Sequence, residues 1–235
     1  MTVALLAISL LLLAAACESE PTPTPEPELT VDELLADAAE DLAALTSAGF
    51  LMIDEMESGA KFFGMTLQTV EGVVKTPASF RMFVDLVAPG LGFAEIEMVA
   101  VGEEAFMKFS ADAPWVPLPL EQVPFNFGGI GVTLSELLGV VEDPVITGRE
   151  SLEGAQVVRV DGDIVSDDLS ALITSVDPGH PILLTLWIDE ADHTLQQLRL
   201  DGQLYNDDAP ETTRLIIISD VNASVDIALP DASGS

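Results

Sequence analysis

Apolar and polar residues alternate with a period of two over most of the chain between positions 66 and 200. This pattern predicts strands that bury one face and expose the other, which is typical of an antiparallel sheet. Turn-forming stretches rich in Gly, Pro, Asn and Asp separate the runs, as expected where successive strands reverse direction. The predicted strands cover 66–76, 79–87, 93–100, 105–109, 158–160, 184–189 and 197–200.

A helical period precedes the strands. Thr30 and Glu33 have the spacing of a capping box, in which the Thr side chain caps the helix and the Glu side chain reaches back. Apolar residues then recur every three or four positions as far as Leu45. The spacing predicts one amphipathic helix of about four to five turns, which Gly49 is expected to end.

Two shorter helices are predicted to interrupt the strands. One lies near 133–140, with Thr133 as its N-cap, and the other near 167–176, with Asp167 or Asp168 as its N-cap. A long curved antiparallel sheet whose apolar face is covered by helices belongs to the α+β class. The pattern of the chain therefore predicts an α+β fold.

The apolar face of the predicted sheet is rich in Phe and Met, and flexible Met side chains suit surfaces that accept varied apolar partners. The pattern leaves two interpretations open, a filled core against the helices or the lining of a cavity. The candidate lining residues are Met52, Phe80, Met82, Val84, Ile96, Met98, Met107, Phe109, Val158, Val160, Leu184, Leu186, Leu198 and Leu200. The apolar segment between Phe109 and Thr133 is a candidate loop at the cavity mouth, through Trp115, Phe125 and Phe127.

The start of the chain has the pattern of a secreted, acylated protein. Residues 3–16 form an uncharged aliphatic run, too short for a membrane span of about 20 residues but typical of a signal peptide. Small residues precede Cys17, which is the only cysteine. This arrangement resembles the bacterial lipobox, in which the Cys sulfur receives a diacylglyceryl group. Ala14 stands where the lipobox usually has Leu, and no Lys or Arg precedes the run; an ordinary signal peptide or a buried thiol is the alternative.

Four prolines alternate with other residues along 18–28. Such a segment stays near the polyproline II conformation and forms a semi-rigid spacer. The predicted organisation is a signal peptide at 1–16, an acylated Cys and stalk at 17–29, one folded domain at 30–230 and a tail at 231–235. A protein so arranged is tethered to the outer side of a cell membrane and held away from it.

The chain of 235 residues has 8 Lys and Arg against 40 Asp and Glu, which gives a formal net charge of −32. Its hydrophobic fraction of 49% and mean hydropathy of +0.40 indicate a folded protein rather than a disordered acidic tail. The charge repels phosphate backbones and so excludes nucleic-acid binding. It also repels anionic lipid head groups, so any membrane attachment has to come from something other than basic charge, as the expected acyl chains on Cys17 would provide.

The sequence has no known catalytic, nucleotide-binding or metal-binding motif. One Cys and two His are too few for a disulfide framework or a Cys/His zinc site. His180 and His193 both lie in predicted turns, where solvated residues are the favoured interpretation. Acidic groups such as Asp167-Asp168 lack the spacing of a calcium loop, which leaves structural Ca²⁺ as a minor alternative. We therefore expect that the protein is not an enzyme and that it binds no cofactor and no metal.

Several segments together resemble one family of bacterial lipoproteins. The segments are the stalk with the helix that follows it, 71–74 (EGVV), 113–118 (APWVPL), 152–162 (LEGAQVVRVDG), 186–189 (LWID) and 215–230 (LIIISDVNASVDIALP). Their order and spacing are similar to those of the mycobacterial LppX, LprG, LprA and LprF lipoproteins and their relatives. The resemblance covers about Thr30 to Pro230.

The resemblance implies a fold and a function. The family is similar in fold to LolA and LolB, a half-barrel of antiparallel strands with helices across its concave side around a cavity for acyl chains. It implies a monomeric, membrane-anchored lipoprotein that carries or presents a lipid or glycolipid in the cell envelope, with an unidentified envelope transporter as partner. The alternative that stays open is a structural or sensory envelope lipoprotein with a filled core.

Overall fold

The computed structural model describes residues 29–230 except 63, 91, 124, 127 and 128. The predicted signal peptide, Cys17, nearly all of the stalk, Phe127 and the tail at 231–235 lie outside the described residues.

Within the described residues, twelve antiparallel strands form a single sheet. Its order is β7-β6-β5-β4-β3-β1-β12-β11-β10-β9-β8, and the short β2 pairs with β3. Pairing of β1 with β12 places the first and last strands at the centre of the sheet and divides it into two halves. The strands are β1 (Ser47–Ile53), β2 (Lys61–Phe62), β3 (Met65–Lys75), β4 (Ser79–Ala88), β5 (Gly92–Val101), β6 (Glu104–Lys108), β7 (Val116–Pro117), β8 (Glu142–Leu152), β9 (Ala155–Val165), β10 (Pro181–Asp189), β11 (Leu195–Gly202) and β12 (Thr213–Ser219).

The first helix, α1 (Val31–Ala43), begins as predicted, with both hydrogen bonds of the capping box between Thr30 and Glu33. Its end differs from the prediction. Gly49 does not terminate the helix but lies in β1, opposite Ser219 of β12, where a Cβ atom would meet the Ser219 hydroxyl. The helix is shorter than expected because the chain from Ser47 onward pairs in the sheet.

The two shorter helices also differ from the prediction. The second helix, α2 (Ile130–Leu138), begins after Gly129, whose positive φ of 79° suits glycine. Thr133 is therefore inside α2 and not its N-cap; its hydroxyl donates to the Gly129 carbonyl at 3.3 Å. The predicted helix near 167–176 is wrong, because the chain makes only a 3-10 turn at Ser166–Leu169 and then irregular turns.

Helices α1 and α2 pack together across one face of the sheet, which we call the inner face. Two hydrophobic cores lie there, one against each half of the sheet. The first core joins both helices to β9, β10 and β11. The second core is built mainly from β1, β3, β4, β5 and β6. The predicted α+β fold, a curved antiparallel sheet with helices over its apolar face, is confirmed.

The two helices approach closely at Gly131, where a Cβ atom would clash with the carbonyl oxygen of Leu42 and with the Leu45 side chain. We expect Gly131→Ala to push α2 away from α1 and to lower the free energy of unfolding by about 1–3 kcal/mol. Urea unfolding followed by circular dichroism measures this change. Gly148→Ala in β8 is the matched control, since nothing lies within 4 Å of its added Cβ; equal losses in both variants would contradict the close packing.

Candidate functional site

A cavity with a free volume of about 260 Å³ lies on the inner face between the two cores. Its sheet wall includes Ile216 and Ile218 of β12, which pack against both cores. The cavity is therefore located where the two halves of the sheet meet at the β1–β12 pair.

The walls of the cavity are almost entirely apolar. Each wall comes from an element whose inner-face positions carry aliphatic or aromatic side chains. The sheet contributes Ala48, Phe50, Met52, Val74, Leu195, Leu198, Leu200, Ile216 and Ile218; the helices and the chain after α1 contribute Leu42, Ala44, Leu45, Ile130, Leu134 and Leu137; the turns contribute Phe125, Leu169, Leu172 and Ile173. Such a surface excludes water and favours apolar ligands.

Polar residues occur where the cavity reaches solvent. Among the lining residues, Asp41, Ala44, Asn126, Val221 and Asn222 are exposed, and Thr194 is half-buried. The side-chain oxygen of Asn222 accepts hydrogen bonds from the Thr46 backbone at 2.7 Å and hydroxyl at 2.8 Å. These bonds fix the chain after β12 beside the end of α1 and so shape the mouth.

The turn between β10 and β11 also holds α1 in place. His193 Nδ1 lies 2.9 Å from the carboxylate of Asp37 on α1. His193 adopts a positive φ of 59° in this turn, and Thr194 and Leu195 beside it line the cavity. The expected solvated turn residue therefore has a specific partner on the helix above the cavity.

The predicted lining residues other than Phe109 fall into three groups. Met52, Leu198 and Leu200 line the cavity. Phe80 lines a second cavity, described below. The others belong to the two cores: Met82, Val84, Ile96 and Met98 are buried in the second core with Met107 against it, and Val158, Val160, Leu184 and Leu186 are buried in the first core.

The three residues that were predicted to lie at the cavity mouth differ from one another in location. Phe125 lines both cavities. Phe127 lies outside the described residues. Trp115 is on the outer face of the sheet, because its ring lies 4.9 Å from the Lys108 ammonium, and Lys108 alternates with the inner-face residue Met107. Trp115 therefore lines neither cavity.

Phe109 also lies away from both cavities. It follows the last residue of β6 and is 61% exposed. The alternation that predicted an inward side chain stops where the strand ends, so the prediction for this position does not match its location.

The outer face near Trp115 carries a buried carboxylate. Glu97 pairs with Lys108 at 2.8 Å and accepts hydrogen bonds from the Arg81 guanidinium. Burial raises the pKa of Glu97, but the hydrogen bonds and positive charges of Lys108 and Arg81 outweigh burial and lower this pKa below its ordinary value. The cluster is an ion-pair network on the face opposite the cavity.

The second cavity has a free volume of about 370 Å³ and lies beside the second core. It shares Phe125 and Asn126 with the first cavity. Phe125 is held between the two spaces by its ring, which stacks on Phe62 with the centroids 5.2 Å apart, and by its bridge to Ile173. Phe125 therefore forms a wall that separates two neighbouring cavities.

The largest part of the lining was not in the sequence prediction. The residues of α2 and of the turn at 169–173 were missed because a helical pattern does not show which of its apolar residues face a cavity and which face a filled core. Ile216 and Ile218 were missed although the run Leu215–Ile218 is continuously apolar. Such a run is typical of a strand buried on both faces and could have indicated a central strand.

Two further features bear on function. No group of three or more His, Cys, Asp or Glu residues placed to hold a metal ion occurs in the part of the chain that the structure describes. Over the same residues, neither helix has the length and apolar character of a membrane span.

The sheet and the helix pair form a fold that is known from solved structures. LprF from Mycobacterium bovis matches with a TM-score of 0.67 and 18% identity, over 89% of this chain and 99% of LprF. LppX from Mycobacterium tuberculosis matches with a TM-score of 0.55 and 15% identity, over 85% of this chain and all of LppX. At these identities the likeness concerns the fold.

The chain belongs to the LppX_LprAFG lipoprotein family, whose model matches residues 31–227. The lipoarabinomannan carrier protein LprG of Mycolicibacterium smegmatis is 26% identical over 180 residues, which are 73% of this chain and 72% of LprG. The family resemblance predicted from the sequence segments is thereby confirmed.

Proposed function

We propose that this protein is an extracytoplasmic lipoprotein that binds acyl chains of a lipid or glycolipid in the apolar cavity and carries or presents that lipid in the cell envelope. The observation that carries the proposal is the cavity itself, which lies between two filled cores and opens beside α1. Transfer of an acyl chain from water into such a space is favourable by about 0.8 kcal/mol per methylene group.

The family supports the same conclusion. The relative from Mycolicibacterium smegmatis bears the name of a lipoarabinomannan carrier, and a carrier needs a space that hides acyl chains from water. The cavity of this chain provides such a space with aliphatic walls on the sheet and on both helices. We extend lipid carriage to this chain on these two grounds, and we propose no catalytic activity and no cofactor.

The location of the protein follows from the segment before the fold. We propose that Cys17 is acylated and anchors the chain to the membrane, and that the Pro-rich segment 18–28 spaces the domain from it. Because α1 begins directly after Thr30 and ends at the cavity mouth, the tether adjoins the helix that covers the site. We also propose that the protein is a monomer. Since its formal net charge is −32, we further propose that it binds no nucleic acid.

A second candidate function is a structural or sensory lipoprotein that carries no lipid. The observation that favours it is the dense packing on both sides of the cavity, where Met82, Val84, Leu184 and Leu186 are almost fully buried. The two candidates differ in whether the 260 Å³ space is occupied by a lipid.

Native mass spectrometry of the mature Cys17→Ser chain, purified without detergent from a lipid-rich bacterial host, tests the proposal. We expect an added mass that is released on denaturation and identified as an acyl lipid.

Ala44→Trp, which fills the mouth, should weaken binding of a fluorescent acyl probe by tenfold or more. Ala36→Trp on the exposed side of α1 is the matched control and should leave binding unchanged. A bare mass together with no probe binding would favour the filled-core alternative.

A further inference from the structure

We infer that the cavity binds lipids with one acyl chain and an uncharged polar end, and that it discriminates against lipids with an anionic end. This inference rests on the proposed function and adds the class of ligand. It is carried by the shape of the space between the cores and by the distribution of charge around it.

The shape of the cavity favours one chain. The free volume of about 260 Å³ lies just below the range of about 300–1,000 Å³ that is typical of pockets for whole drug-sized ligands. The two cores that flank the cavity are packed. Phe125 separates the space from the second cavity. A single chain fits between Ile216 and Ile218 below and the two helices above.

The walls of the two cavities carry no basic side chain that would bind an anionic head group. The chain has eight Lys and Arg residues, and none of them lines either cavity. Arg81 and Lys108 pair with Glu97, Arg149 with Glu190, Arg159 with Asp161, Arg199 with Asp201 and Arg214 with Asp208, while Lys61 lies near the Thr66 hydroxyl and Lys75 donates to the Val225 carbonyl.

The mouth instead carries one carboxylate and neutral polar groups. Asp41 is exposed at the end of α1 and lines the cavity together with Thr194 and Asn222, whose hydroxyl and amide can donate and accept hydrogen bonds. Sugar or glycerol hydroxyl groups match this set. A phosphate or carboxylate would meet the Asp41 charge within the screening length of about 8–10 Å, in the field of a protein with net charge −32.

Two probes with the same chain and different polar ends test the inference. Dodecyl maltoside and dodecyl phosphate compete with a fluorescent acyl probe for the mature Cys17→Ser chain, both below their micelle concentrations. We expect the maltoside to bind at least tenfold more tightly in about 0.01 M salt and the difference to shrink in about 1 M salt, where the Debye length falls from about 30 to about 3 Å. Equal binding at low salt, or tighter binding of the phosphate, would overturn the charge argument while the proposed function stands.

A charge reversal at the mouth separates the local effect from the net charge. Asp41→Lys should raise the affinity for dodecyl phosphate several-fold and leave that for the maltoside within twofold. Glu55→Lys makes the same charge change in the loop after β1, at the other end of that strand from the mouth, and should have little effect. An equal gain in both variants would overturn the role of Asp41. Failure of both probes to bind would instead contradict the proposed function.

The number of acyl chains that the cavity holds is measured separately. Native mass spectra should give one dodecyl maltoside per protein. Dodecanoylglycerol, with one chain, should bind more tightly than didodecanoylglycerol, with two. Two bound maltosides, or preference for the two-chain glycerol lipid, would overturn the one-chain inference.

Discussion

Phe125→Ala is expected to join the two cavities and to change which ligand the protein prefers. The ring of Phe125 lines both spaces, of about 260 and 370 Å³, and stacks on Phe62. Removal of the ring extends the first cavity into the second cavity, toward Phe80. Each further methylene group that becomes buried contributes about 0.8 kcal/mol, or about a fourfold gain in affinity. A series of alkyl maltosides should therefore show an optimum chain length that is longer by several methylene groups.

The measurement is the dissociation constant of each maltoside for the wild type and the variant, with urea unfolding to establish that the variant is folded. Truncation of a buried Phe costs about 3–5 kcal/mol, and the half-buried Phe125 should cost less. Phe109→Ala is the matched control, because Phe109 is exposed and lines neither cavity. An unchanged chain-length optimum in a folded Phe125→Ala variant would contradict the role of this residue as a wall.

The second large effect is expected at a buried ion pair that joins the start of β12 to the turn before it. Asp208→Ala should lower the free energy of unfolding by about 3–5 kcal/mol, because it leaves Arg214 as an unpaired charge in the interior. Arg214 and Asp208 are both almost fully buried, with 2.7 Å between Nη2 and Oδ2. The Asp208 carboxylate also accepts backbone hydrogen bonds from Lys61, Leu204 and Tyr205.

Urea unfolding or the midpoint of thermal unfolding measures this effect, and the midpoint should fall by about 10 °C. Asp207→Ala, at the exposed neighbouring position, removes the same charge and should change the unfolding free energy by less than about 0.5 kcal/mol. If the two variants lost the same stability, the ion pair would not link the β2 segment, the 203–212 turn and β12 as described.

The strands that the sequence predicted are those with one buried and one exposed face. Three longer strands lack that pattern. β8 lies at the edge of the sheet with most of its side chains exposed, so no apolar alternation marks it. β12 is apolar on both faces, since Ile216 packs on the inner face and Leu215 joins Trp187 and Val157 on the outer face. β1 has no polar residue after Ser47, so it also lacks the alternation that marks a strand with one exposed face.

The cavity could be predicted only in part. Met52 and Met82 have the same residue type and both point to the inner face, yet Met52 lines the cavity and Met82 is enclosed in the second core. Their difference comes from tertiary position, because β1 pairs with β12 at the centre and β4 does not. Alternation along a strand identifies the inner face, whereas the pairing of distant strands decides where space remains between two cores.

Diffraction from crystals grown with an ω-brominated dodecyl maltoside tests the central claim most directly. Anomalous scattering places the bromine without assumptions about the alkyl chain. We expect one bromine site between Ile216 and Ile218 of β12 and the helix pair, with the sugar near Asp41 and Asn222. Bromine bound only on the outer face, or at no ordered site in a crystal that contains the ligand in excess, would contradict the claim that this cavity holds an acyl chain.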